Sequence, residues 1–236
     1  MTGLFIQWLI ILPKAMQAFL AAQNLFRDNC WTIHSKTRVQ PFAMARPCEF
    51  DEDEVLERAM HTFWQHGYDG TSLEDLLAAT GIARQSLYNR FGDKRALFIK
   101  ALRRYHANGG CKMLPVFEQT RPVQAAFRQI FESASNENDD AKRMGCFMIN
   151  AAMEMARHDV EIADIVTRNQ RGFEDLFVTA LEAGKTRGEL PASFDSLATG
   201  RFLVGAFFGL KVLAKSDPSS PILADMVQVT LSVLPA

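Results

Sequence analysis

Few features of this 236-residue chain suit a catalyst, a secreted scaffold or a membrane span. It has four cysteines, Cys30, Cys48, Cys111 and Cys146. None lies in a CxxC pair or at zinc-ligand spacing with histidine, which argues against a disulfide framework and a zinc module and suits a reducing, cytoplasmic compartment. Long apolar runs are lacking. The first, Leu4–Leu12, stops at Pro13, well short of the roughly 20 residues a spanning helix needs. It also lacks the basic residues that precede the apolar core of an export signal. The chain contains no P-loop, no GxGxxG fingerprint, no HExxH pair and no nucleophile elbow. His61, His66, His106 and His158 show no metal-ligand spacing. No cofactor, metal or catalytic set is therefore expected. The formal net charge of −1 excludes a globally basic nucleic-acid binder.

The charge that is present is segregated. Between Ile82 and Arg104 stand Arg84, Arg90, Lys94, Arg95, Lys100, Arg103 and Arg104 against Asp93 alone. Between Glu49 and Asp75 the acids dominate, with Arg58 the one Lys or Arg among them. A local basic block is the footprint a phosphate backbone prefers, although a solvated helix face reads the same way.

Beyond residue 49 no alternating apolar–polar run persists, and the pattern is helical. Asp51 and Glu54 are placed to cap a first helix, with Phe50 and Val55 as its hydrophobic staple and Leu56, Ala59, Met60 and Phe63 as its apolar stripe. Gly67 ends it. Ser72 and Asp75 form a capping box for a second helix, which Gly81 breaks. A third, Ala83–Phe91, ends at Gly92. Asp93 caps a fourth, which Gly109-Gly110 is expected to close. Later helices are expected at 122–135, 142–157, 160–187, 196–215 and 222–234. The chain divides into an atypical extension, 1–43, then 44–110 and 111–236. The extension is read as upstream of a functional start at Met44, with a short export signal or membrane-surface segment as the alternative.

Two short helices joined by a glycine turn form a helix-turn-helix, whose second helix enters the major groove. With Leu87 and Phe91 facing the core, Arg84, Gln85, Ser86, Tyr88 and Asn89 fan over the remaining surface. Arg84 suits guanine, Gln85 suits adenine, and Ser86, Tyr88 and Lys94 suit phosphates, as do Thr71, Ser72 and the amides that open the second helix.

The stretch "GYDGTSLEDLLAATGIARQSLYNRFGDKRALF" resembles the DNA-binding domain of the TetR/AcrR family of transcriptional regulators. Gly67-Tyr68, Thr71-Ser72, Gly81, Leu87-Tyr88-Asn89-Arg90-Phe91 and Lys94 meet the family pattern. Ala83 departs from it, standing where a capping serine or threonine is common. Arg90 also departs, standing where histidine is frequent. The resemblance implies an all-α fold, a helix-turn-helix domain followed by a helical-bundle ligand-binding and dimerisation domain. It implies a homodimeric repressor released from a palindromic double-stranded operator by a small-molecule effector, with Arg46 as a minor-groove arm.

In the second half, "MGCFMINAAMEMARHD" is expected to line the effector pocket through Cys146, Phe147, Asn150, Met153 and Glu154, with ordinary core as the plainer reading. Cys146 is a candidate electrophile or redox sensor. The dimer interface is expected on the last two helices, at Phe202, Gly205, Phe208, Gly209, Val212 and Met226. The competing readings are a helical-bundle enzyme and a membrane-associated interaction protein.

Overall fold

The computed structural model describes residues 50–235. The extension, Arg46, Cys30 and Cys48 lie outside the described residues. Ten helices make up the described chain: α1 (Glu52–His66), α2 (Leu73–Thr80), α3 (Arg84–Phe91), α4 (Lys94–Gln119), α5 (Val123–Ser135), α6 (Asp139–Met144), α7 (Phe147–Glu154), α8 (Val160–Thr186), α9 (Ser196–Ser216) and α10 (Ile222–Leu231). No strand occurs among the described residues, so the all-α expectation holds.

The chain forms two compact units. Of the described residues, one contains 50–108 together with Cys146–Arg168, and the other contains Gly109–Gly145 and 169–235. The first unit closes around Phe63, Leu76, Leu87, Leu97, Phe98, Leu102, Phe147 and Ile162, all buried. The second closes around Phe127, Phe131, Phe177, Leu181, Leu203, Phe207 and Leu210. Its rings meet mostly edge to face, Phe127 on Phe177 at 5.1 Å and Phe131 on Phe207 at 5.6 Å, a favoured aromatic geometry.

Local capping chemistry decides most helix ends. Asp51 accepts from the amides of Asp53 and Glu54. Ser72 and Asp75 exchange both capping-box bonds. Asp93 accepts from Ala96 at 2.7 Å. Two expectations fail. Gly109-Gly110 does not close a helix, because α4 continues through it to Gln119. A glycine costs only about 1 kcal/mol in a helix interior, which the regular turns on either side outweigh. The helix expected at 142–157 is split. Gly145 adopts φ 66°, a left-handed value that ends α6, and Cys146 starts α7 in extended backbone. The segment 146–168 packs with the first unit instead of with the rest of 111–236.

Helix α9 is 21 residues long and apolar enough, by length and composition, to cross a membrane, yet only a third of its most apolar window is buried.

Candidate nucleic-acid interface

The glycine turn between α2 and α3 has the geometry that the sequence required. Gly81 caps α2 with φ 72° and ψ 13°, a conformation that costs other residues a Cβ clash. Ile82 packs against the core within the turn, and Ala83 leads into α3 in extended backbone. Leu87 and Phe91 are buried and fasten α3 to the unit. Around them, Arg84, Gln85, Tyr88 and Asn89 are exposed and Ser86 is half-buried. Ala83 supplies no side-chain cap, so nothing from the Ncap side chain covers the first amides of α3.

The exposed polar groups are engaged with one another. Arg84 pairs with Glu74 of α2 at 2.8 Å. The Gln85 amide donates to Asn89 Oδ1 at 2.8 Å. Lys94 is half-buried, its ammonium 4.4 Å from the centre of the Tyr68 ring. The basic block as a whole is answered from within the unit. Arg90 pairs with Glu52, and Arg104 with Asp53 and Glu57 at 2.8 and 2.7 Å. Arg95 grips Asp159 at 2.6 Å and reaches Glu161, which also holds Arg103. Lys100 donates to the Arg90 carbonyl. The excess of seven basic residues over one acid is thus largely compensated by carboxylates from elsewhere in the chain. The Arg95 bond holds the Asp159 carboxyl down at about 2, against an ordinary 3.8, and the same bond raises Arg95 above its usual range.

Two of the expected phosphate contacts, Thr71 and Ser72, have partners within the turn itself. Thr71 is fully buried, and its hydroxyl donates to the Gly67 carbonyl at 2.6 Å. Its side chain braces the turn and cannot reach a phosphate. Ser72 is exposed, but its hydroxyl bonds Asp75 and caps α2.

The pocket expected on α7 is also not assembled as anticipated. Met153 is 84% exposed. Phe147 is buried in an aromatic cluster with Trp64, Phe98 and Tyr105. Cys146 is a half-buried free thiol that accepts from the Tyr105 hydroxyl at 3.6 Å. Asn150 is half-buried. Glu154 accepts from the backbone amides of Tyr68 at 2.8 Å and Asp69 at 2.7 Å. Phe147 and Glu154 therefore serve the first unit's own structure. Sequence reasoning missed this role of Glu154 and the partnership of Asp159 with Arg95, because each joins residues more than 60 positions apart and no local spacing signals it.

Two family models match this chain. Residues 55–101 match the model described as bacterial regulatory proteins, tetR family, and residues 122–226 match the tetracyclin repressor-like C-terminal domain. The HTH-type transcriptional regulator YezE of Bacillus subtilis (strain 168) is 39% identical over 193 residues, covering 81% of this chain and all of YezE.

The chain belongs to the TetR family.

It is therefore a DNA-binding transcriptional regulator. The TetR family is one of regulators and not of enzymes, which removes the helical-bundle enzyme reading. The HTH-type transcriptional repressor ComR of Escherichia coli (strain K12) is 32% identical over 193 residues, covering 80% of this chain and 91% of ComR. Among solved structures, a cysteine-substituted form of the TetR family regulator CifR, complexed with a 26-base-pair double-strand operator, aligns with a TM-score of 0.73 and 29% identity. That alignment covers 81% of this chain and all of the CifR chain. Helix α9, apolar as it is, lies inside the matched C-terminal domain.

Proposed function

We propose that this TetR-family regulator is a cytoplasmic homodimeric repressor. In this reading, α3 reads a palindromic operator and a small molecule bound by the C-terminal domain releases it. One observation carries the DNA-reading part: Arg84, Gln85, Tyr88 and Asn89 stand exposed on α3 while Leu87 and Phe91 bury it against the core. Arg84 would exchange Glu74 for the O6 and N7 of a guanine. Gln85 or Asn89 would part from each other to meet an adenine. Tyr88, Ser86 and Lys94 would contact phosphates, as would the uncapped amides at the start of α3. The exposed ion pairs are weak enough, about 0–1 kcal/mol each, to be exchanged in this way.

Dimerisation is supported by two apolar stripes. On α9, Phe202, Gly205, Gly209 and Val212 recur at three- and four-residue spacing, with Phe202 and Val212 half exposed. On α10, Ile222, Met226 and Val229 recur in the same way, and Val229 is 67% exposed. Phe208 and Met226 are half-buried at the edge of the core. Such stripes on adjacent helices suit a seam with a second copy of this chain. Two recognition helices related by a two-fold axis would then meet half-sites about one helical turn apart.

The test is fluorescence anisotropy of the full chain against duplexes tiled across the region upstream of its own gene, over a salt series. Tight binding to one palindromic tile, with a steep salt dependence, is expected. Equal binding to every tile would overturn the base-reading assignment of α3 at that locus.

A further inference from the structure

We infer that Glu154 is a positioning residue for operator binding. Its carboxylate pins the turn between α1 and α2, so the seat of α7 fixes how the helix-turn-helix is presented. This rests on the DNA-binding function of the family and concerns a residue that sequence reasoning had placed in an effector pocket.

Helix α1 ends with the Gly67 amide on the Phe63 carbonyl at 2.8 Å. The next two amides, of Tyr68 and Asp69, point out of the helix and need an acceptor. Glu154, the last residue of α7, provides one oxygen to each, Oε2 to Tyr68 and Oε1 to Asp69. The fit is close. A Cβ added to Gly67 would lie 3.0 Å from Oε2 and 3.1 Å from Oε1, so a side chain there would press on the carboxylate. Both carboxylate oxygens are thus committed to the turn, which leaves Glu154 poorly suited to anchor a cationic effector.

The turn is the pivot for everything that would touch DNA. The Tyr68 ring packs on Phe63 and Phe98 at 6.3 and 5.0 Å and carries the Lys94 ammonium above it. Thr71 bonds back to Gly67, and Ser72 then starts α2. From α2 the Gly81 turn leads directly to α3. Helix α7 is itself held by Phe147, Met148 and Ala151 in the same core. A slide of α7 by about 1 Å would stretch both Glu154 bonds past hydrogen-bonding range and leave the turn without its acceptor. Charge-assisted bonds to backbone amides are among the stronger ones available for such fixing.

The experiment uses the full chain and a duplex enriched by the unmodified protein from a random-sequence pool, with a scrambled duplex of equal length as reference. Glu154→Gln keeps the shape of the side chain but turns an N–H₂ group toward one of the two amides. It is expected to lose about tenfold in affinity for the enriched duplex, the worth of roughly one charge-assisted bond. Binding to the scrambled duplex, which depends on charge and not on alignment, is expected to change less than about threefold. Glu154→Ala should lose more. In hydrogen exchange read by NMR, the Tyr68 and Asp69 amides should lose protection in Glu154→Gln while the amides in the middle of α1 keep theirs. Glu132→Gln, in an exposed pair with Arg128, removes the same charge elsewhere and should leave the ratio of the two affinities unchanged.

An unchanged ratio in Glu154→Gln would overturn the positioning role if the two amides exchange faster. It would overturn the latch itself if they do not. Equal shifts in Glu154→Gln and Glu132→Gln would reduce the effect to charge and overturn the inference. If Glu154→Ala fails to fold, Glu154→Gln decides. Failure of the unmodified protein to enrich any duplex would instead refute sequence-specific binding, a result visible before any variant is made.

Discussion

Gly205 offers a substitution whose sign depends on whether α9 meets a second copy. Within one chain, a Cβ at Gly205 would meet nothing within 4 Å. Alanine there should therefore stabilise the single chain by about 0.8–1 kcal/mol, the ordinary helical advantage of alanine over glycine. That corresponds to a rise of roughly 2–4 °C in melting temperature for a chain of this size. If α9 of a second copy approaches along the Phe202–Gly205–Gly209–Val212 stripe, the added methyl enters the closest part of the seam. Overpacking of this kind costs about 1–3 kcal/mol, a roughly 5- to 150-fold weaker dimer. The helical advantage is common to both states and cancels from the dissociation constant. Sedimentation equilibrium on Gly205→Ala reads the dimer constant, and thermal melting across a dilution series reads the chain itself. Gly200→Ala is the contrast. Its Cβ would lie 2.6 Å from Val178 Cγ2, so it should lower stability at every concentration. A Gly205→Ala protein with a higher melting temperature and an unchanged dimer constant would refute a seam through Gly205.

Two further outcomes follow from the first unit. Arg84→Ala should cost about 1–3 kcal/mol on the preferred operator and relax discrimination at one base pair per half-site, whereas Lys94→Ala should weaken all sequences alike and reduce the salt slope by about 1. Anisotropy titrations on matched and single-substituted duplexes separate the two. The Asp159 carboxyl is held at about 2 by Arg95, below its ordinary 3.8. A depressed carboxyl adds stability that is present above the unfolded value and lost as pH falls through the folded one. The bond should therefore contribute fully above about pH 4 and fade between pH 4 and 2, and Asp159→Asn should flatten that acid limb in chemical denaturation series.

What could be read from the sequence was what short-range chemistry decides. Asp51, Ser72, Gly81, Gly92 and Asp93 act within a few residues of themselves, and each helix end they mark was foreseen. The outward fan on α3 was foreseen too, since Leu87 and Phe91 four apart fix which way it faces. The misreadings had two physical sources. Some came from weighing a local preference that the fold overrides, as at Gly109-Gly110 inside α4, or from missing one that it uses, as at Gly145. The rest came from long-range pairing. Glu154 looked like a pocket acid because Tyr68 and Asp69 are 86 and 85 residues away. The basic block looked like bare positive charge because Glu52, Asp53, Glu57 and Glu74 were counted as a separate acidic block, when they are its partners.

That pairing changes what binding DNA means for this protein. An arginine in solution is neutralised by mobile anions, which leave when phosphate arrives. Here much of that neutralisation is covalently attached. On the proposed reading, when Arg84 turned to a base, Glu74 would not be released to the solvent but would stay tethered at the edge of a negatively charged duplex. Every DNA sequence would meet this residual repulsion, and only one that gave Arg84, Gln85 and Asn89 base contacts would recover the loss. The built-in carboxylates would thus act as a threshold against indiscriminate adhesion, taxing the many wrong sites of a genome and the few right ones alike.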